Sequence, residues 1–456
     1  MQKTTQHEHW SSQWLFIMAT IGASVGLANI WRFPFATGEN GGGAFVLVYL
    51  AAVVFLALPL LIGELMLGRR GQASPTRTLL ALAKESDSSR YWVVLGYSGV
   101  ITAIIILSYY CMIGGETFIY AAKNLLGNFV NIEVAESLKI SADYNASWLA
   151  VLGGHTLFVL VMVSISAQGV SGGLEKAVKY MMPALFIILI GIVIYAGVAG
   201  NFKQALIYLF SPDFSKISAS VVIEAFGQAF FSVGVGVTIL MAYGSYMHRD
   251  DSVTNASLLV VTADTLVALL AGLAVFPIVF AYGLDPGGGP SLVFESIPLA
   301  FGHMPGGRLF GTLFFVLLAF AAITSAICLL EAPVAWLSNK DGWSRKQAAL
   351  VSGLMVWLLG LLPVLSMNYL VDFYPLLSFG IERTFFDLFD YVSSNILLPM
   401  GGLFTAIFIG WVLPNKISME ELKVLETHHW FKFWMFLLRY VVPLVLFIVF
   451  ISLLLP

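Results

Sequence analysis

Long apolar stretches constrain the fold of this sequence more than any other feature. A membrane-spanning helix needs about 20 consecutive, mostly apolar residues. Eleven stretches reach that length, over residues 12–37, 42–68, 91–123, 148–168, 174–198, 220–247, 255–282, 308–338, 345–366, 384–412 and 431–455. With 59% hydrophobic and 11% charged residues, this chain of 456 residues has too few charges to cover a soluble surface. We therefore predict an all-α polytopic protein, held in a lipid bilayer as a single transmembrane domain over residues 1–456.

Lysine and arginine are distributed unevenly over the segments that connect these stretches. Cytoplasmic loops of membrane proteins carry an excess of both residues. If the N-terminus is cytoplasmic, 15 of them fall on inside segments and six on outside segments. We expect a multi-pass protein of the plasma membrane with its N-terminus inside and, since the number of helices is odd, its C-terminus outside.

Several function classes are disfavoured by what the sequence lacks. The net charge of −3 offers no basic surface for a nucleic acid, and no GxxxxGK[ST] motif is present for an ATP-driven pump. A membrane enzyme needs a base, a nucleophile or a metal cluster, and no grouping of His, Cys and Asp supplies one. Cys111 and Cys328 lie inside apolar stretches and are interpreted as packed thiols. We expect neither an enzyme nor an obligate protein partner.

Two of the apolar stretches are interrupted where a membrane helix would normally continue. The first holds small residues together with Asn29, Arg32 and Pro34, and the sixth holds Ser232-Val-Gly-Val-Gly236. A backbone that leaves the helix inside a bilayer must find new partners for its N–H and C=O groups, so such breaks survive where they line a cavity or a binding site. Two broken segments in corresponding halves of a chain indicate the central site of a transporter.

The placement of the breaks indicates two repeats. Helices 1–5 (about 12–198) and helices 6–10 (about 220–412) would each open with a broken helix, and residues 431–455 would form an extra helix. A channel is a rival interpretation, but it needs a continuous polar lining, whereas the polar residues here concentrate at one depth. A transporter-like sensor that does not transport stays open as an alternative.

The first break also carries a resemblance to a known family. Residues Gly22-Ala-Ser-Val-Gly-Leu-Ala-Asn-Ile-Trp-Arg-Phe-Pro34, followed by Glu39-Asn-Gly-Gly-Gly-Ala-Phe45, resemble the first-helix signature of the neurotransmitter:sodium symporter family. Further matches are Glu64-Leu-Met-Leu-Gly-Arg69, Tyr109-Tyr110, Gln228-Ala-Phe-Phe-Ser232, Ala321-Ala-Ile-Thr-Ser325 and Ser344-Arg-Lys346. The sequence is most similar to the bacterial eleven-helix members that carry multiple hydrophobic amino acids. The resemblance implies a LeuT-type inverted repeat of five plus five helices, with helices 1 and 6 unwound at mid-membrane, in a bacterial inner membrane.

By this resemblance, two Na⁺ ions bind beside the first break. The first ion would be bound by the substrate carboxylate and by the carbonyl or side-chain oxygens of Ser24, Asn29, Ser232 and Asp264. The second would be bound by the carbonyls of Gly22, Val25 and Ala321 and the hydroxyls of Thr324 and Ser325. A hydroxyl in a membrane helix often bonds back to the carbonyl one turn earlier, which would account for either hydroxyl taken alone. The whole set favours ion sites, because polar groups inside a membrane are costly and usually functional.

The resemblance implies that the substrate is a small zwitterion. The N–H groups of Leu27 and Ala28 and the hydroxyl of Tyr110 would face its carboxylate. Carbonyls of Ser24, Phe231 and Ser232 would accept hydrogen bonds from its ammonium group. Monoamine carriers of the family have an aspartate where this chain has Gly26, which favours an amino acid over an amine. The pocket for the substrate's side chain would be formed by Ile106, Tyr110, Phe231, Gly234, Val237, Ser325 and Leu329.

Two of these pocket residues predict the size of the substrate. Gly234 and Val237 stand where the leucine-preferring relative has serine and phenylalanine, and both changes enlarge the pocket. The sequence therefore predicts a Na⁺-coupled symporter that takes up aliphatic and aromatic L-amino acids by alternating access. The alternatives are a Na⁺-dependent symporter of another small amino acid and a non-transporting amino-acid sensor of the same fold.

Gates on both sides of the pocket are also implied. Arg32 would pair with Asp390 at the external gate, above Tyr110 and Phe231; the alternative is that Arg32 extends to the membrane interface. On the internal side Trp10 matches the family. The basic residue expected there aligns with His7 and its acidic partner with Asn339, so that ion pair is in doubt.

Helices 2, 5 and 8 carry further polar or helix-breaking residues. Gly173 and Pro183 would either let helix 5 unwind or merely kink it. Glu64 and Glu331 are expected to anchor the backbone near the breaks.

Helix 7 bears on the question of chloride. Many family members that need Cl⁻ have a neutral asparagine where this chain has Asp264, and the leucine-preferring relative has a glutamate where this chain has Ala268. The carboxylate of Asp264 would supply the fixed negative charge, because a nearby Na⁺ ion favours its ionised form. We therefore expect no chloride requirement. The alternative is an aspartate that only hydrogen-bonds to helix ends.

Overall fold

The computed structural model describes residues 10–287, 292–339, 343–380 and 382–454, and within these ranges the regular structure is helical. His7 lies outside the described residues. Eleven helical segments follow one another in chain order in the described part of the chain and agree with the predicted stretches to within four residues. They are α1 (Gln13–Ser24 and Ala28–Glu39), α2 (Gly43–Gly71), α3 (Arg90–Leu126), α4 (Trp148–Ser166), α5 (Val170–Ala199), α6 (Ala219–Val233 and Ile239–Ser245), α7 (Val253–Ala281), α8 (Gly307–Ser338), α9 (Arg345–Ser366), α10 (Phe385–Val412) and α11 (His429–Ser452).

The two predicted breaks are present in α1 and α6. In the described part of the chain, nine helices are each long and apolar enough to cross a membrane, and the two halves of α1, which meet at 47°, form a tenth span. The first half of α1 ends at Ser24 because Val25 has the extended conformation φ −70°, ψ 100°. In α6 the break contains Gly234 (φ +75°) and Gly236 (φ +91°), and glycine adopts such angles without steric cost.

Short helices connect the spans at both ends of the bundle. We call the end where α1 begins the Trp10 face and the end where α1 finishes the Arg32 face. Helices Pro75–Glu85 and Asn415–Leu422 lie at the Trp10 face. The corresponding helices at the Arg32 face are Val134–Ala146, Phe202–Phe210 and Ile297–His303.

The broken helices are packed inside the bundle. The pair α3 and α8 makes the most extensive helix contact, α6 packs on α2, and the first half of α1 contacts α5, α7 and α8. In α5, Gly173 lies in the π-helical turn Val170–Leu174, and Pro183 lies inside the continuous helix Glu175–Ala199. Helix α5 is therefore wound along its length in this structure.

Candidate functional site

The first break exposes main-chain groups to side chains of neighbouring helices. The N–H of Gly26 donates to the side-chain oxygen of Asn29 (3.0 Å), and the N–H of Leu27 donates to the hydroxyl oxygen of Tyr110 (3.4 Å). A Cβ atom on Gly26 would lie 2.4 Å from the hydroxyl oxygen of Ser325. A side chain at position 26 would therefore have to displace the Ser325 hydroxyl.

The second break is held by the buried acid of α2. The carboxylate of Glu64 accepts a hydrogen bond from the N–H of Gly236 (2.6 Å) and is fully buried. This contact agrees with the expectation that Glu64 anchors the backbone near a break. Ser24 links the two breaks, because its hydroxyl donates to the carbonyl of Val233 (3.0 Å).

Four buried polar side chains from α1, α2, α6 and α7 meet beside the breaks. The amide nitrogen of Asn29 donates to Ser232 Oγ (2.9 Å) and Asp264 Oδ1 (2.8 Å), and Ser232 donates to Asp264 Oδ2 (2.7 Å). The hydroxyl of Tyr49 lies 3.3 Å from Ser232 Oγ. The structure thus brings together the three side chains predicted for the first ion. Tyr49 was not predicted, because a single tyrosine in an apolar stretch carries no signal of its own.

On the other side of the first break lies Ser325 of α8. Its hydroxyl is 3.2 Å from the carbonyl oxygen of Gly22 and 3.3 Å from that of Val25. The hydroxyl of Thr324 donates within α8, to the carbonyls of Phe320 (3.0 Å) and Ala321 (3.1 Å). The residues predicted for the second ion therefore lie together, with Thr324 making the local hydrogen bond typical of a helical hydroxyl.

A cavity lies between the two breaks. Ten of the twelve residues predicted to bind substrate line it: Ser24, Gly26, Ala28, Ile106, Tyr110, Phe231, Gly234, Val237, Ser325 and Leu329. Leu27 and Ser232 are neighbours of lining residues but do not line it themselves. The cavity is also lined by Ala23, Ile239 and Leu398, which were not predicted. The positions of Ala23 and Ile239 beside the breaks could have predicted that they line the cavity. Nothing in the sequence indicates that α10, which carries Leu398, reaches it.

On the Arg32 face the structure differs from the predicted gate. The guanidinium of Arg32 lies 3.3 Å from Glu224 and 4.9 Å above the ring centroid of Phe231. Asp390 instead accepts hydrogen bonds from the hydroxyls of Tyr109 (3.2 Å) and Ser394 (3.0 Å). Among the described residues no ion pair joins Arg32 to Asp390, and the predicted pairing is not formed in this structure. The available signal was that Glu224 is the one acidic residue in the sixth apolar stretch.

On the Trp10 face the start of α1 is fastened to α5 and α6. Trp10 is 1% exposed, and its indole N–H donates to the carbonyl of Tyr243 (3.4 Å). The N–H and the hydroxyl of Ser11 donate to the two carboxylate oxygens of Glu175 (2.6 and 2.8 Å). The Ser11–Glu175 contact was not predicted. The main-chain carbonyl of Asn339 accepts from the guanidinium of Arg77.

Glu331 has a different role from the one expected. Its carboxylate pairs with the guanidinium of Arg345 (2.7 Å) and accepts a hydrogen bond from the hydroxyl of Tyr246 (2.6 Å). Among the described residues, the partners of this buried acid are side chains and not main-chain groups, so the expected backbone anchor is not found there. The physical reason is that α9 begins beside α8 and brings a cation within reach.

Comparisons with known proteins agree with this architecture. The profile described as "Sodium:neurotransmitter symporter family" matches residues 7–139 and 133–455. A solved structure described as "Crystal structure of MhsT in complex with L-phenylalanine" is 37% identical in sequence, has a TM-score of 0.90, and covers 98% of this chain and 99% of that chain.

Curated relatives agree as well. The "Uncharacterized sodium-dependent transporter YhdH" of Bacillus subtilis (strain 168) is 36% identical over 451 residues, 97% of each chain. An "Uncharacterized sodium-dependent transporter" of Haemophilus influenzae is 34% identical over 454 residues, 98% of each chain. The "Sodium-dependent nutrient amino acid transporter 1" of Drosophila grimshawi is 28% identical, over 81% of this chain and 67% of that protein. The resemblance drawn from the first break is confirmed: this multi-pass membrane protein belongs to the sodium:neurotransmitter symporter family, a family of secondary transporters and not of enzymes.

Proposed function

We propose that this chain is a Na⁺-coupled symporter that takes up hydrophobic L-amino acids, aliphatic and aromatic, by alternating access and without chloride. The observation that carries the proposal is a mainly apolar cavity between two helix breaks, bordered by buried polar clusters. Asn29 and Ser232 directly follow the lining residues Ala28 and Phe231. The family supports the dependence on Na⁺, and MhsT, solved with L-phenylalanine, supports the class of substrate.

The first Na⁺ ion would bind among Asn29, Ser232 and Asp264, together with the carbonyl of Ser24. These side chains fit a hard cation, because they bring side-chain oxygens to one place. Ser232 Oγ lies 2.7 Å from Asp264 Oδ2, and the amide nitrogen of Asn29 lies 2.9 Å from Ser232 Oγ and 2.8 Å from Asp264 Oδ1. In the structure the amide nitrogen of Asn29 faces Asp264. Since Na⁺ takes oxygen ligands, ion binding would turn the amide oxygen of Asn29 toward the ion and break its hydrogen bond with the N–H of Gly26.

The second Na⁺ ion would bind where Ser325 now bonds to the unwound part of α1. The carbonyls of Gly22 and Val25 point at one hydroxyl, at 3.2 and 3.3 Å. Main-chain carbonyls released by a helix break are typical Na⁺ ligands in transporters. Thr324 and the carbonyl of Ala321, which are 3.1 Å apart, would complete the set.

The substrate would bind with its charged groups at the breaks and its side chain in the apolar part of the cavity. The N–H of Leu27 and the hydroxyl of Tyr110, now 3.4 Å apart, are donors for a carboxylate. Because Gly26 supplies no side-chain carboxylate, the substrate's own carboxylate would complete the first Na⁺ site. Substrate and Na⁺ would then each raise the affinity for the other, which couples uptake to the Na⁺ gradient.

Chloride independence is supported by the position of Asp264. Its carboxylate is fully buried and touches both Asn29 and Ser232. It would serve as a Na⁺ ligand and as the fixed negative charge, one turn before Ala268, which has none. An intramembrane carboxylate without a cation or donors would be costly.

The transport cycle would open and close the two faces in turn. At the Trp10 face, which the distribution of Lys and Arg would place in the cytoplasm, Trp10 and the Ser11–Glu175 contact join the start of α1 to α5 and α6, and these contacts would have to break for that face to open. The Arg32 face would then lie outside and admit substrate and Na⁺.

Uptake into proteoliposomes tests the proposal. Tritiated leucine and phenylalanine are expected to accumulate under an inward Na⁺ gradient, and not when K⁺ replaces Na⁺. Replacing chloride by gluconate is expected to leave the rate unchanged. Equal uptake in K⁺ would contradict Na⁺ coupling. Na⁺-dependent binding without uptake would instead favour the sensor, and uptake restricted to another small amino acid would favour the other alternative.

A further inference from the structure

We infer that Leu398 of α10 limits the size of the side chain that the cavity accepts. The inference rests on the function proposed above, in which the cavity is the amino-acid site. The residues predicted for the pocket lie on α1, α3, α6 and α8. A fifth helix that contributes a wall would give the site a determinant of selectivity outside those four.

Leu398 lines the cavity, as do the residues proposed to receive the substrate's side chain. It is 2% exposed and lines the cavity together with Phe231, Gly234 and Val237 of α6. Gly234, which lines the same cavity, leaves space there, because a Cβ atom on it would meet only Ile239, at 3.6 Å. The space for a substrate's side chain therefore depends on the larger residues that line the cavity with this glycine, and Leu398 is one of them.

The main chain of α10 is held against the second break by close contacts. A Cβ atom on Gly401 would lie 1.9 Å from the carbonyl oxygen of Gly236, and one on Gly236 would lie 2.3 Å from the carbonyl oxygen of Leu398. Neither helix can carry a side chain at these positions, and neither can approach further. Because the backbone at residue 398 is fixed in this way, a change in the size of its side chain changes the cavity rather than the helix position.

A local irregularity of α10 directly precedes Leu398. Residues Val392–Leu397 form a π-helical segment, and the regular α-helix resumes at Leu398, with Pro399 in its first turn. A π-helical turn shifts the angular position of the residues that follow it, and such turns are frequent at functional sites. Met400, two residues further on, is 37% exposed and lines a separate groove with Ser98 of α3.

Opposite substitutions at Leu398 test the inference. Purified parent and variants Leu398→Ala and Leu398→Phe are compared in Na⁺ buffer by competition of valine, leucine, phenylalanine and tryptophan with tritiated leucine. We expect Leu398→Phe to weaken tryptophan relative to valine by about 10-fold or more, and Leu398→Ala to shift that ratio the other way, since one methylene in an apolar pocket discriminates about 10–200-fold. Met400→Ala and Met400→Phe, on the same helix, are expected to keep the parent's ranking.

The outcomes separate this inference from the proposed function. A parent that binds amino acids with Na⁺, with Leu398 variants that keep its ranking, overturns the role of Leu398 alone. The same holds if the Met400 variants shift the ranking as much. A parent without Na⁺-dependent binding of any amino acid overturns the proposed function itself. If Leu398→Phe is not recovered folded, Leu398→Val provides the test, with a smaller shift in the direction of Leu398→Ala.

Discussion

Arg32 and Glu224 form an ion pair of 3.3 Å that joins the second half of α1 to the first half of α6. Their side chains are 15% and 39% exposed, and partly exposed ion pairs typically contribute less than about 1 kcal/mol to stability. The same guanidinium covers the ring of Phe231, which lines the cavity. The pair is therefore placed to hold the two broken helices together over the site.

This arrangement predicts the behaviour of Glu224→Gln. We expect its affinity for leucine to stay within about fivefold of the parent, because the loss corresponds to about 1 kcal/mol, while bound leucine dissociates faster. Release of tritiated leucine into excess unlabelled leucine measures the rate. Asp390→Asn is the matched comparison, since it weakens the contacts with Tyr109 and Ser394 and leaves Arg32 and Glu224 unchanged. Faster release from Asp390→Asn alone would show that Asp390 is the partner of Arg32 in the bound state.

The predicted Na⁺ sites lead to a second expectation, for Asn29→Ala and Thr324→Ala. Both are expected to abolish or greatly weaken Na⁺-dependent binding. Loss of the Asn29 amide also removes a hydrogen bond to a charged group, which is worth on the order of 1.5–3 kcal/mol. Thr324→Ser keeps the hydroxyl and is expected to bind as the parent does. Extraction and gel filtration check that each variant folds. Undiminished binding by the parent in K⁺ buffer would refute an obligatory Na⁺ site.

A third prediction concerns chloride and Asp264. We expect Asp264→Asn either to stop transport or to make it respond to chloride, because the fixed negative charge beside Ser232 is gone. In the parent, acid is expected to weaken Na⁺ affinity, since protonation of the same carboxylate removes that charge. Uptake measured with chloride and with gluconate decides the matter: a large fall of the parent's rate in gluconate would overturn this assignment.

The pocket provides a fourth prediction, for Val237→Phe. Val237 is 1% exposed and lines the cavity, and overfilling a packed site typically costs about 1–3 kcal/mol. The variant is expected to lose affinity for tryptophan and phenylalanine and to prefer smaller side chains. Val222→Phe, on α6 but away from the cavity lining, is the control and is expected to keep the parent's preference. Failure of aromatic amino acids to compete with leucine in the parent would refute a large pocket.

The sequence alone determined the membrane class, the positions of the spans and the places where α1 and α6 break. These properties depend on local chemistry: the length of an apolar stretch, and the need of an unwound backbone for partners. The family resemblance, which begins at residues 22–34, also indicated most of the residues that line the cavity. Gly26, Tyr110 and Val237 are examples.

Only the tertiary structure decided which distant residues meet. Arg32 pairs with Glu224, 192 residues away. Asp390, the partner predicted from the sequence, instead accepts hydrogen bonds from Tyr109 and Ser394. Leu398 enters the cavity because glycines at 236 and 401 let two main chains touch. Tyr49 joins the Asn29–Ser232–Asp264 cluster because α2 packs against the first half of α6. Such contacts follow from how closely packed helices approach one another, which the periodicity of a single helix does not encode.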